Sequence, residues 1–128
     1  MGDASYAMNE LHQEITRLSG MIYHNELKMK RLREAKVKIK NDQQELLHHE
    51  KDIFKPEFSS TTWTGKHAKN HVNIRESIGD SHRNITSRQI VDILDTINAK
   101  IGELDNQNEG YRDSISSIRR RITILSDR

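Results

Sequence analysis

From Met8 to Ile53 the apolar residues recur at alternating spacings of three and four. One stripe position carries Met8, Ile15, Ile22 and Met29, then turns polar at Lys36, Gln43 and Glu50. The other carries Leu11, Leu18, Asn25, Leu32, Ile39, Leu46 and Ile53. A repeat of about 3.5 residues belongs to a helix that lays one face along a partner helix. The first element is therefore predicted as a helix over about 4–54. Gly20 is its weak point, costing roughly 1 kcal/mol relative to Ala.

A second seam follows at Ile97, Ile101, Leu104, Asn108, Tyr111, Ile115, Ile118, Ile122 and Leu125. Upstream, Ile74, Ile78 and Ile85 lie in a different phase from Ile90, Leu94 and Ile97. The shift falls within 79–87, where Thr86 and Gln89 have capping-box spacing. A helix break there and one helix with a stutter are both open, and the stutter is favoured. The second helix is predicted over about 63–126.

Stop and restart signals lie between the two. Pro56 ends the first helix near Phe54, and Ser59, Ser60, Thr61 and Thr62 are N-cap candidates before Trp63. A turn confined to 55–62 makes the helices antiparallel neighbours. The expected fold is all-α, a long coiled-coil-like antiparallel helical hairpin forming a single domain over 1–128.

Composition narrows this further. Hydrophobic residues make up 33% and charged residues 31%, which suits long helices with narrow seams better than a thick globular core. Aromatic residues are 5% and proline occurs once, so sandwiches and barrels lack their strand formers and turns. The absence of Cys excludes disulfides, thiolate zinc sites and a Cys nucleophile. The N-terminus lacks the basic flank and apolar core of a secretory signal. No window approaches the roughly 18 apolar residues of a spanning helix, so no membrane insertion is expected.

Tyr23, Leu27, Val37, Leu47, Val91 and Ile93 lie off the main seams and widen the apolar faces beyond what two strands need. A lone hairpin of this make-up is expected to be marginal and to finish its core against another helical chain.

Candidate chemistry is sparse. His67 and His71 share a helical face, near the expected level of His48 and His49. The four form a weak zinc or protonation-switch candidate, against which stands ordinary polar decoration of a coiled coil. The basic run from Lys28 to Lys40 invites a phosphate-track reading. Its apolar residues keep helical phase and the net charge is only +2, so a solvated or partner-facing surface is preferred over nucleic acid. Asn25 and Asn108 sit on the seams, either as buried register-setting amides or at a wet edge. No phosphate loop, nucleophile elbow or acid pair in a pocket stands out, so neither an enzyme nor a cofactor is expected.

The turn holds the most specific residues: Trp63, Gly65 and Ala68. Trp63 is placed to plug the end of the hairpin with Phe54 and Phe58 beside it, while Gly65 and Ala68 allow close approach. An ordinary aromatic cap on a helical turn accounts for the same residues. A helix, a short connector carrying W-x-G-x-x-A and a second helix resemble the WXG superfamily of hairpins exported by bacterial type VII secretion. The length and the Phe- and Ser-rich connector look more like its LXG-toxin-associated α-helical (Lap, YwqH-like) branch. That resemblance implies a protein that binds the helical N-terminal domain of an LXG toxin and accompanies it to the secretion machine.

The chain departs from the superfamily pattern in two places. His71 stands where many relatives have a large apolar residue. The C-terminal export signal, an aromatic followed four later by an acid, is missing, because Tyr111 is followed by Ile115. Tyr6 with Glu10 has that spacing at the other end.

The expected function is an accessory targeting or chaperone role toward an LXG toxin, with a second small helical protein alongside. The chain is expected in the bacterial cytoplasm, with export beside its partner. The partner-binding anchors would be Leu11, Leu18, Ile22, Leu32 and Ile39, with Ile97, Ile101, Leu104, Ile115, Ile118 and Ile122. The alternatives are a self-dimerising secreted hairpin of the WXG type, or a generic coiled-coil or nucleic-acid-binding scaffold.

Overall fold

The computed structural model describes residues 2–55 and 65–127. Trp63, Pro56, Phe58 and the Ser/Thr run fall outside them, as do the side chains of His67 and Ala68. The described chain is helical almost throughout, and no strand occurs among its described residues. Helix α1 spans Gly2–His48 and tightens into a 3-10 segment, Glu50–Phe54. Helix α2 spans Lys66–Asn84, a π-helical turn occupies Ile85–Gln89, and α3 spans Ile90–Ser126.

The first helical stretch stops where proline dictates. Lys55 is extended, with φ −104 and ψ 144, because a proline ring crowds the helical conformation of the residue before it. Asp52 holds this end together, accepting from His49 Nδ1 at 2.9 Å and pairing with Lys55 Nζ at 3.3 Å. Those two contacts, the histidine hydrogen bond first, hold the Asp52 carboxyl below its ordinary range.

The restart at Gly65 depends on backbone freedom. Its φ of 86 and ψ of −161 lie in a region essentially reserved for glycine. Its carbonyl accepts the Lys69 N–H at 3.2 Å, the bond that opens α2. The sequence suggested that Gly65 is small to permit close approach. Among the described residues nothing lies within 4 Å of where its Cβ would be, so conformation explains the glycine better than space.

Residues 79–87, where a break or a stutter was open, remain helical, and Asn84, Ile85 and Ile90 are all right-handed. The Ile90 N–H reaches back to Ile85 O, the longer π-type bond. Bypassed, the Thr86 carbonyl accepts from Gln43 Nε2 of α1 at 2.6 Å. Thr86 does not cap a new helix. Its hydroxyl donates back to His82 O at 3.1 Å and Arg83 O at 3.2 Å.

The chain divides into two units, Met1–Arg33 with Asn98–Arg128, and Glu34–Ile97. In each, α1 runs antiparallel to returning helix, so the fold class is an all-α helical hairpin. The first unit has an aliphatic core of Leu18, Ile115 and Ile118, with Leu11, Ile15, Ile22, Tyr111 and Ile122 packed against it. The second is tied by different means. The Phe54 ring lies against Gly79, where an added Cβ would come within 2.9 Å of Phe54 Cζ. Arg75 donates to the carbonyls of Phe54 and Lys55, each at 3.2 Å. Arg83 donates to Glu50 at 3.0 Å. Among this unit's described residues the buried apolar ones are Ile90 and Leu94.

Candidate partner interface

The seam of the first unit contains a polar rung. Asn108 is 0% exposed and Asn25 is also buried. Asn25 Nδ2 donates to Asn108 Oδ1 at 2.9 Å and to Gln107 Oε1 at 3.3 Å, and Asn108 Nδ2 donates to Ile22 O at 3.3 Å. The pair is not at a wet edge. An amide pair enclosed in an aliphatic seam satisfies itself at one alignment, so it fixes register. Beside it, Arg112 pairs with Glu26 at 3.3 Å.

Several of the eleven apolar anchors expected to meet a partner pack inside the hairpin itself: Leu18, Ile115 and Ile118 form a core cluster, with Leu11, Ile22 and Ile122 against it. Leu18, Leu104, Ile115 and Ile118 are buried inside the chain. Leu11, Ile22, Leu32, Ile39, Ile97, Ile101 and Ile122 are half-buried. A seam spaced at three and four fits the nearest helix, which is the returning arm of the same chain.

A different apolar set faces outward, concentrated in the Glu34–Ile97 unit. On α2, Ile74 and Ile78 are 56% and 50% exposed, Ile85 beyond them is exposed, and Asn73, Ser77 and Ser81 line a shallow groove with the first two. Val91 and Ile93 continue on α3, and Val37 and Leu47 stand out from α1. The spacing of Ile74, Ile78 and Ile85 places them on one helical face. The other unit exposes few large apolar side chains: Tyr6, Tyr23 and Ile124. The sequence signal for this surface was the phase shift of the Ile74 stripe.

Of the candidate histidines, the side chain of His67 lies outside the described residues. His49 is turned to Asp52, and its ring meets that of His48 edge-on at 5.2 Å. His71 is exposed on α2. Among the described residues no group of three or more potential ligands is placed to hold a metal ion. No helix among them is long and apolar enough to cross a membrane. His82, not singled out by the sequence, has a buried Nδ1 without a partner.

None of Lys28, Lys30, Arg31, Arg33, Lys36, Lys38 and Lys40 pairs with a described carboxylate, whereas Arg17, Arg83, Lys100 and Arg112 each do.

The fold and its outward faces define a helical hairpin with a pinned internal seam and apolar surface to spare. The chain belongs to the YwqH-like family, whose model matches residues 7–126. The resemblance drawn from the turn residues holds at that level. No curated protein and no solved structure matches the chain.

Proposed function

We propose that this chain is a non-catalytic accessory protein that binds the helical N-terminal domain of an LXG toxin and targets or chaperones it for type VII secretion. A second small helical protein stands alongside, and the complex forms in the bacterial cytoplasm before export. Membership of the YwqH-like family supports the reading. The observation that carries it is the exposed isoleucine face of α2, centred on Ile74 and Ile78. A helix laid along that face removes apolar surface from water at about 25 cal/mol per Å2. Anchors at such spacings are how helices are read in grooves.

The test is co-expression with an LXG N-terminal domain from the same genome. The reading expects one complex by light scattering and a higher melting temperature than either protein alone. Ile74→Asp with Ile78→Asp should abolish the complex while the free chain keeps its helical circular dichroism. A stable homodimer that ignores the toxin domain contradicts it.

A further inference from the structure

On the Met1–Arg33 and Asn98–Arg128 unit an open groove is lined by Lys28, Arg31 and Leu32 from α1 and by Lys100 and Leu104 from α3. Its wall is almost wholly carbon. Leu104 is buried at the floor, Leu32 is half-buried, and the exposed cations contribute their aliphatic stems. Lys100 pairs with Glu103 at 3.4 Å, but Lys28 and Arg31 pair with no described carboxylate. The α1 side of the groove therefore combines an apolar seat with a positive rim that no described carboxylate neutralises.

We propose that this groove docks an acidic amphipathic helix of another protein, one that seats apolar side chains on Leu32 and Leu104 and directs Asp or Glu to Lys28 and Arg31. Charge complementarity selects the partner, because an apolar helix with basic flanks would set like charges against the rim. A nucleic-acid backbone satisfies the cations but leaves the half-buried Leu32 and the aliphatic stems of the wall wet. A second copy offers exposed isoleucines on α2, but that helix carries Lys66, Lys69, Arg75 and Arg83 against only Glu76 and Asp80, so it brings more positive than negative charge to the rim. Val91 and Ile93 of its α3, two apart, fall on different faces. The inference concerns the chemistry of this groove and stands or falls apart from the toxin reading.

The experiment uses the full chain and two labelled peptides of about three heptads, with identical leucine spacing and with flanks of either Glu or Lys. Fluorescence anisotropy should show binding of the Glu peptide, weakening as salt rises toward about 0.5 M. Lys28→Glu with Arg31→Glu should weaken it about tenfold or more, and that variant should take up the Lys peptide instead. Circular dichroism of the variant, with both sites exposed, should match the parent. No binding of the Glu peptide, equal binding of both peptides, or tighter binding of a DNA duplex of similar length each overturns the proposal.

Discussion

An enclosed amide in an isoleucine seam is costly unless its polar atoms find partners, and Asn108 finds them in Asn25 and the Ile22 carbonyl. Asn108→Ala leaves Asn25 with only its longer bond to Gln107, so denaturant unfolding should show a loss of about 1–3 kcal/mol. Asn25→Leu with Asn108→Leu removes both amides at once and should fall within about 1 kcal/mol of the parent, at the expense of register. A double-mutant cycle with no coupling between the two positions would show that the rung is not a unit. Gly65 makes a separate case. Gly65→Ala should cost about 1–3 kcal/mol, because a Cβ is strained at this φ and ψ even though nothing described crowds it. An unchanged melting temperature would count against that backbone assignment.

Among the elements, the π-helical turn brings the Ile74 stripe and the Ile90 seam into one continuous helix. The bypassed Thr86 carbonyl makes Gln43 its dedicated donor. Gln43→Ala should therefore lower stability by about 1–3 kcal/mol, and hydrogen exchange should localise the loss to residues around 85–90. The phase shift was readable from isoleucine spacing alone, as were the two helices from their alternation of three and four. The bond that resolves the shift was not, because a stutter and a new N-terminus look alike when Thr and Gln stand three apart. Pro56 announced the end of the first stretch, and the extended Lys55 follows from it. Spacing could not say which apolar stripe the returning arm would occupy. It could not foresee Phe54 on Gly79 either, since that contact joins residues far apart in sequence. At the same end, Asp52 offers a pH test. Its carboxyl is held low by His49 and Lys55, so its contribution is present above the ordinary aspartate value and lost as pH falls through the lower, folded value. A carbon-detected NMR titration should place Asp52 below an unstructured aspartate; coincidence of the two would remove the contact from solution.

For the molecule as a whole, the two units distribute apolar surface unequally. The unit with the Asn25–Asn108 rung has an aliphatic cluster and few exposed apolar residues. Among its described residues, the Glu34–Ile97 unit buries Ile90 and Leu94, is tied by Gln43, Arg75, Arg83 and the Phe54 ring, and leaves isoleucines in water. Local stability follows buried apolar contact, so the second unit should open more readily until a partner covers it. Hydrogen–deuterium exchange on the full chain, alone and with an LXG N-terminal domain, puts this to the test. The free chain should exchange faster across the helical residues 34–97 than across the other unit, and binding should slow exchange most around Ile74 and Ile78. Uniform protection in the free chain, unchanged when the toxin domain is added, would contradict a hairpin built to be completed by another helical protein.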